Sequence, residues 1–191
     1  MNRLNCVGDI CPVPVIKTKK AMLSSQGAKL EVLVDNEIAV QNISKYLKSV
    51  GCTFSASQEN GNFLISINGN AADAPQTEPA LSGLVVIPSE FMGTGDDTLG
   101  KLLIKGFIFA LSQLETLPEA IVFYNGGVRH VLKDSAGLND LQNMQASGVK
   151  ILACGTCLNH FGVLDQLAVG EVTDMYNIVN LMQRAVYVIR P

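Results

Sequence analysis

Apolar and polar residues alternate along several short stretches in the first third of the chain. This two-residue period is typical of strands that bury one face. It is clearest at residues 29–34 and 63–67, and it predicts further strands at 2–7 and 52–59. An Asn-Gly pair at 60–61 has the residues of a two-residue hairpin turn, so we expect the strands on either side of it to form a hairpin.

Two segments between these strands have apolar residues at the three- and four-residue spacing of a helix. The first runs from about residue 12 to 23, and four of its residues are predicted to face the core: Val15, Ile16, Met22 and Leu23. The second covers about 39–50 and precedes Gly51, which we expect to end it in a left-handed conformation. Three lysines are predicted on the outer side of the first helix, as a docking site for an acidic partner or as a solvated face: Lys17, Lys19 and Lys20.

The second half of the chain shows short, continuous apolar runs separated by helical patterns. Runs at 84–88, 120–124 and 149–153 predict strands that are covered on both faces. The pattern closes with a helix at 174–184 and a strand at 186–189. Strands that alternate with helices imply right-handed crossovers, so we predict an α/β fold with a doubly wound sheet.

A small, polar and proline-containing segment separates the two patterns. Residues 71–82 have too little apolar surface to pack, and they are predicted to form a linker. The predicted domains are therefore residues 1–70 and residues 83–191.

The composition argues against several classes of protein. The 191 residues carry a net charge of −3, and without a basic excess we expect protein or small-molecule partners rather than nucleic acid. Although 48% of the residues are hydrophobic, no apolar run is long enough to cross a bilayer and no apolar leader opens the chain, so no membrane association is expected. We expect a cytoplasmic protein whose thiols stay reduced.

Five cysteines stand at irregular spacings, which does not match a disulfide framework. Cys6 shares a strand face with Leu4 and is predicted to lie in the core. Cys52 has no neighbouring His, Pro or Cys, so we expect it to be structural. The candidates for chemistry are the remaining three: Cys11, Cys154 and Cys157.

Cys11 stands at the start of the first predicted helix, after Gly8 and before Pro12 and Pro14. Unpaired N–H groups and the helix dipole favour a thiolate there, so we expect a depressed pKa. Both prolines suit the first helical turn and fix the backbone after Cys11. A reactive sulfur is one interpretation, and a buried structural cysteine beside a proline-capped helix is the other.

Cys154 follows a predicted buried strand, at the edge where open α/β sheets bind their ligands. Gly155 allows a tight backbone toward Cys157, and a following helix would lower the pKa of the thiol that its N-terminus faces. Three interpretations are open here: sulfur relay or thiol redox chemistry, metal binding with His160, and a structural pair. His160 is a candidate base or proton donor, or simply a hydrogen-bonded residue.

The segment Leu4-Asn5-Cys6-Val7-Gly8-Asp9-Ile10-Cys11-Pro12-Val13-Pro14 resembles the signature of the TusA/SirA-like sulfur carriers. The resemblance covers residues 1 to about 70 and implies a two-layer β-α-β-α-β-β sandwich. It also implies that Cys11 carries sulfur as a persulfide. Those carriers usually have Asp where this chain has Asn5.

Residues 84–191 resemble the DsrE-like sulfur-relay fold, and the spacing from Cys154 to Gly162 fits that family. Together with residues 169–176, this stretch is similar to the YedF-like proteins, which join both modules in one chain and are associated with selenium metabolism. The resemblance implies a mostly parallel sheet, sulfur transfer from a TusA-like carrier to Cys154, and an oligomer formed through this domain. His160 stands where that family usually has an aromatic residue.

These observations lead to the hypothesis of a sulfurtransferase-like carrier that holds sulfane sulfur, or selenium at the same oxidation level, on Cys11. Exchange with Cys154, with Cys157 resolving, requires accessible thiolates with depressed pKa values. Donor and acceptor proteins such as a cysteine desulfurase are the expected partners, and no cofactor or metal is predicted. The alternatives are a thiol–disulfide oxidoreductase that uses Cys154 and Cys157, and a non-catalytic adaptor that binds partners.

Overall fold

The computed structural model describes most of the chain: residues 2–10, 12–25, 28–68 and 81–191. Contacts divide the chain into two compact units, Met1–Glu78 and Pro79–Pro191. Among the helices of the described ranges, none is both long and apolar enough to cross a membrane.

The first unit is a four-stranded sheet covered by two helices. Its strands are β1 (Asn2–Asn5), β2 (Leu30–Val34), β3 (Thr53–Glu59) and β4 (Asn62–Asn68), and its helices are α1 (Val13–Ser25) and α2 (Glu37–Ser49). The order across the sheet is β1-β2-β4-β3, with β1 parallel to β2 and the other neighbours antiparallel. One face of the sheet is buried beneath the helices, which confirms the predicted β-α-β-α-β-β sandwich.

The turns of this unit have the backbone that their residues favour. Asn60 and Gly61 have φ angles of 50° and 81°, so both central residues of the β3–β4 hairpin are left-handed, as a type I′ turn requires. Gly51 after α2 has a φ of 70°, which confirms the predicted left-handed helix end.

The buried face of α1 is narrower than predicted. Val15 and Met22 are buried as expected, and Thr18 joins them. Successive helix residues are turned by about 100°, so Leu23 points away from the stripe that contains Met22. Leu23 is 70% exposed, and the prediction that it faces the core is wrong.

The second unit is a five-stranded parallel sheet with helices on both faces. Its strands are β5 (Leu84–Ile87), β6 (Ala120–Phe123), β7 (Lys150–Cys154), β8 (Glu171–Thr173) and β9 (Val188–Ile189), in the order β8-β7-β6-β5-β9. Its helices are α3 (Asp97–Ser112), α4 (Leu138–Ala146), α5 (Gly155–His160) and α6 (Met175–Arg184), with 3-10 segments at Asn125–Val131 and Leu164–Gln166. Every neighbouring strand pair is parallel, which confirms the predicted doubly wound sheet.

The two faces of this sheet form separate cores. Val85 and Ile121 pack toward α3 and α4, whereas Leu84 and Val86 pack toward α6. Because neighbouring residues of one strand enter opposite cores, the strands require continuous apolar runs. This is the physical origin of the pattern in the sequence.

Two segments of the second unit are not evident from the sequence pattern. β8 has only three residues, too few to show a period of their own, and it pairs with β7. Leu81 falls in the predicted linker 71–82, yet it is fully buried and belongs to the core beneath α6. Its N–H donates to the Arg184 carbonyl at 3.0 Å, and residues 71–80 of that predicted linker lie outside the described part of the chain.

Candidate functional site

Cys11 lies outside the described residues, but the turn before it and the helix after it are described. β1 ends at Asn5, and the Cys6 N–H still donates to the Leu33 carbonyl of β2 at 2.8 Å. The Asp9 N–H then donates to the Cys6 carbonyl at 3.1 Å, so the chain turns directly after the strand. Cys11 therefore follows a hydrogen-bonded turn at the end of a strand.

Gly8 gives this turn its shape. Its φ of 80° lies in the left-handed region that favours glycine. The Gly8 N–H donates to Oδ2 of Asp35 at 2.8 Å, and this hydrogen bond is the main reason that the pKa of Asp35 is lowered. Oδ1 of Asn5 accepts a second hydrogen bond, from the Val7 N–H at 3.0 Å, so an uncharged amide serves this turn as an acceptor.

Pro12 and Pro14 stand at the start of α1. The Pro12 carbonyl accepts from the Ile16 N–H at 3.2 Å, and Pro14 is buried in the first turn, where its missing donor has no intrahelical partner. The Pro14 carbonyl accepts from Oγ1 of Thr18 at 2.8 Å. Both prolines therefore fit the helix start that the sequence predicts.

The Asp9 carboxylate connects this turn to α1. Nζ of Lys17 lies 2.6 Å from Oδ2 of Asp9, and this hydrogen bond raises the pKa of Lys17. Lys17 is therefore paired with Asp9 while its side chain stays 43% exposed, so it still lies on a solvated face. Burial, followed by the nearby Asp9 carboxylate, raises the pKa of Cys6 to about 11. Cys6 is 1% exposed, so the prediction of a core thiol is confirmed.

Cys154 is the last residue of β7, at the carboxyl edge of the second sheet. Its side chain shares a strand face with Leu152 and lies in the core beneath α6, so the residue is only 1% exposed. A hydrogen bond with the Cys157 thiol, and then burial, raise the pKa of Cys154, while the backbone N–H groups of Thr156 and Cys157 oppose this rise. The expectation of an accessible thiolate with a depressed pKa is therefore wrong for Cys154, because the strand directs its sulfur into the core.

Cys157 is the half-buried thiol of the pair. It lies in α5, three residues after Cys154, and Gly155 is buried as the first residue of that helix. Sγ of Cys157 accepts a hydrogen bond from the Asn125 N–H at 3.1 Å. Asn125 follows β6, the strand beside β7, so the ends of two neighbouring strands meet at this sulfur.

Further polar contacts join the loops at this edge. Nε of Arg129 lies 2.6 Å from Oε1 of Glu90, and the guanidinium lies over the Phe161 ring at 4.9 Å. Nε2 of His130 lies 3.1 Å from the carbonyl oxygen of Ser89, and burial lowers the pKa of His130. Sequence reasoning misses these contacts because the partners are far apart along the chain, 41 residues for Ser89 and His130.

His160 lies on the surface at the end of α5, with its ring edge-on to Phe161 at a centroid distance of 5.2 Å. Within the described ranges, no group of three or more His, Cys, Asp or Glu side chains is arranged to hold a metal ion. The metal-binding interpretation of Cys154, Cys157 and His160 therefore gains no support from the geometry. A proton-transfer role for His160 stays a prediction.

Known protein families match parts of both units. Residues 2–69 match the sulfurtransferase TusA family, and residues 105–191 match the DsrE/DsrF-like family. A putative sulfur carrier protein of Methanocaldococcus jannaschii is 43% identical over 60 residues, which cover 31% of this chain and 80% of that protein. A putative sulfur carrier protein of Archaeoglobus fulgidus is 36% identical over 52 residues, which cover 27% of this chain and 68% of that protein.

Two solved structures are similar to parts of the chain. A SirA-like protein from Desulfitobacterium hafniense is 33% identical, with 37% of this chain and 99% of that chain covered and a TM-score of 0.35. A protein of unknown function from Methanobacterium thermoautotrophicum is 23% identical, with 58% of this chain and 99% of that chain covered and a TM-score of 0.43.

Proposed function

Because the chain belongs to the TusA family of sulfur carriers through residues 2–69 and to the DsrE/DsrF-like family through residues 105–191, we propose that it relays sulfane sulfur between two sites of its own. Cys11 holds the sulfur as a persulfide and exchanges it with the thiol pair of Cys154 and Cys157. The observation that carries this proposal is the hydrogen-bonded contact of these two thiols at the carboxyl edge of the second sheet, in the same chain as a carrier unit.

The surroundings of Cys11 support its role as the carrier. α1 begins at Val13, two residues after Cys11 in the sequence, and has 13 residues; a cysteine at the positive end of a helix dipole is favoured as a thiolate. The turn before Cys11 is fixed by Asp35 and by the pair of Asp9 and Lys17.

The transfer is a thiol exchange that needs no external oxidant. An acceptor thiolate attacks the terminal sulfur of the Cys11 persulfide, and a new S–S bond forms to the acceptor. The bond between Sγ of Cys11 and the terminal sulfur breaks, and Cys11 leaves as a thiolate. The transferred sulfur keeps its oxidation level, and selenium at the same level follows the same steps.

As a member of a sulfur carrier family, the chain interacts with sulfur donor and acceptor proteins. We extend this to a cysteine desulfurase as the donor, because that class of enzyme releases sulfur as a persulfide. We also propose the cytoplasm as the compartment, since this exchange requires thiols that stay reduced.

The second unit offers a surface for a second copy of the chain. Four large apolar side chains at helical spacing on α3 are between 44% and 68% exposed: Leu99, Leu102, Leu103 and Phe109. Gly106 lies within this stripe, and nothing in its own unit lies within 4 Å of its Cβ position, so another helix can approach closely. A second copy presents the same uncharged stripe, and an isologous pair buries both at once.

Loading with a cysteine desulfurase and cysteine, followed by mass spectrometry of the intact protein and its peptides, tests the proposed function. We expect an adduct of one sulfur atom on Cys11 that reductant removes, followed by an adduct on the thiol pair. Cys11→Ser should abolish both when the desulfurase is the donor, whereas Cys52→Ser, which changes a buried cysteine, should abolish neither. A wild-type chain without an adduct at Cys11 would overturn the proposal.

The contact between the two thiols also supports a second candidate, a thiol–disulfide oxidoreductase. Thiols in hydrogen-bond contact are near enough to close into a disulfide after a small movement. In that case Cys11→Ser retains the activity, and mild oxidation closes a disulfide between Cys154 and Cys157. Loss of activity in Cys11→Ser would exclude this candidate.

A further inference from the structure

We propose that Cys157, rather than Cys154, is the thiol of the second unit that first accepts sulfur, and that the backbone N–H of Asn125 positions and stabilises its thiolate. Cys154 then serves as a sheltered second acceptor. This inference rests on the proposed function and assigns the order of events within it.

The two thiols differ in how easily an incoming sulfur donor can reach them. An attacking sulfur must reach the terminal sulfur of a persulfide held by another group, and Cys154 is only 1% exposed. Cys154 lies beneath α6, so the core would have to open before it met a donor. Cys157 is half-buried at the sheet edge, and its hydrogen-bond partner Asn125 is exposed. A donor therefore reaches Cys157 with the core closed.

The hydrogen bonds favour the same order. A hydrogen bond donated to a sulfur stabilises its charged form, and the Asn125 N–H is 3.1 Å from Sγ of Cys157. The two thiols also contact each other, and this contact together with burial raises the pKa of Cys154. The more accessible sulfur therefore has a donor from the end of the neighbouring strand, whereas at Cys154 burial and the thiol contact outweigh the N–H groups of Thr156 and Cys157.

The turn that supplies this donor is held in place by backbone packing. Asn125 has a φ of 50°, a left-handed conformation that Asn tolerates better than most residues. Two residues later, a Cβ on Gly127 would clash with the carbonyl oxygen of Ile87, so the turn lies directly against the end of β5. The position of the Asn125 N–H is thus set by the backbone and not by the Asn125 side chain.

The proposed sequence balances in two steps. In the first step the Cys157 thiolate attacks the terminal sulfur of the donor persulfide, forms a Cys157 persulfide and releases the donor thiolate. In the second step Cys154 attacks the same terminal sulfur and becomes the persulfide. The proton of the Cys154 thiol passes to the leaving Cys157 sulfur, so the second step needs no further reactant.

The order is tested on the full chain in a Cys11→Ser background, with glutathione persulfide as the donor. We expect Cys157→Ser to slow sulfur uptake by the second unit by about tenfold or more, because the substitution removes the accessible thiolate. In Cys154→Ser the adduct should accumulate on Cys157. Uptake on Cys154 at the wild-type rate without Cys157 would overturn the proposed order.

Two substitutions of Asn125 test the role of its backbone. Both remove the side-chain amide, but only alanine disfavours the left-handed conformation that aims the N–H. Asn125→Ala should slow uptake by about tenfold, the size expected when a hydrogen bond to a charged group is lost. Asn125→Gly should take up sulfur at nearly the wild-type rate. Equal rates of uptake in the two variants would show that the backbone of Asn125 has no role in the mechanism.

These experiments distinguish an error in the order in which Cys157 and Cys154 accept sulfur from an error in the proposed function. The glutathione persulfide assay bypasses Cys11, whereas loading of Cys11 by the desulfurase is measured on the wild-type chain. A loaded Cys11 combined with direct uptake on Cys154 overturns the order alone. An unloaded Cys11 overturns the relay alone, and uptake by neither thiol of the pair overturns both.

Discussion

Individual cysteine side chains in this protein differ because each sulfur has its own surroundings. Burial raises the pKa of both Cys6 and Cys52, which suits structural thiols. Cys157 instead accepts a backbone N–H at the sheet edge. The same residue type therefore supplies inert core side chains and a candidate nucleophile within one chain.

The raised pKa of Cys6 predicts that the protein loses stability at alkaline pH. Its pKa is raised from the ordinary value of 9.0 to about 11, so the folded state keeps a proton that the unfolded state loses as the pH rises. The stabilising contribution is complete below pH 9 and disappears as the pH approaches 11. Urea denaturation at several pH values should therefore show a smaller alkaline loss for Cys6→Ala than for the wild type. An identical pH dependence would contradict this prediction.

At the scale of elements, both candidate sites lie where a strand ends and a helix begins. Cys11 stands in the sequence between β1 and α1, and the end of β7 leads through Cys154 into α5. In each case a residue from a neighbouring segment holds the turn: Asp35 contacts Gly8, and Asn125 contacts Cys157. Each turn therefore depends on a partner that is remote in sequence.

Asp35 is predicted to support the loading of Cys11. Asp35→Ala removes the acceptor of the Gly8 N–H, so the turn loosens and sulfur loading of Cys11 by a desulfurase should slow several-fold. Asp35→Asn keeps an acceptor oxygen and should load nearly as fast as the wild type. Loading rates followed by mass spectrometry check this pair, and equal slowing in both variants would point to the charge rather than the hydrogen bond.

Gly127 is predicted to be essential for the turn after β6. An added Cβ meets the Ile87 carbonyl oxygen, a backbone atom that cannot move aside, so Gly127→Ala should lower the free energy of unfolding by about 3 kcal/mol. The neighbouring Gly126 has room, since its Cβ would lie 3.4 Å from the nearest atom, the Glu90 nitrogen. Gly126→Ala should therefore change stability by less than about 1 kcal/mol in chemical denaturation.

At the scale of the whole molecule, the chain combines a carrier unit with a second α/β unit of a different architecture. The first has a mixed sheet with one buried face, and the second has a parallel sheet buried on both faces. In both units the candidate cysteines stand, along the sequence, at the start of a helix. The relay that we propose therefore needs only thiol exchange between two sites that each unit builds independently.

The exposed stripe on α3 predicts concentration-dependent self-association. Leu102→Glu places a charge in the centre of the stripe and should shift the chain toward the monomer in sedimentation analysis. Val179→Glu changes a similarly exposed apolar residue on α6, which is 54% exposed, and should leave the assembly unchanged. A wild-type chain that stays monomeric at all concentrations would contradict the proposed second copy.

Much of this architecture follows from local pattern. Alternation at 29–34 and the apolar runs at 84–88, 120–124 and 149–153 are direct consequences of which faces the strands bury, so they predict both sheets correctly. The hairpin at 60–61 follows from two residues that tolerate positive φ. The prediction that Leu23 is buried is wrong because the spacing of apolar residues alone does not say how wide a buried helical face is.

The sequence by itself determined the fold class of both units, the helix start after Cys11 and the edge of the sheet at which Cys154 stands, because these depend on neighbouring residues. Only the tertiary structure decided which thiol of the second pair meets solvent. That outcome depends on which core each side chain enters and on a donor, the Asn125 N–H, that lies 32 residues from Cys157 along the chain. Burial and hydrogen bonding act through space, so the chemical state of a sulfur is settled by neighbours that sequence spacing cannot identify.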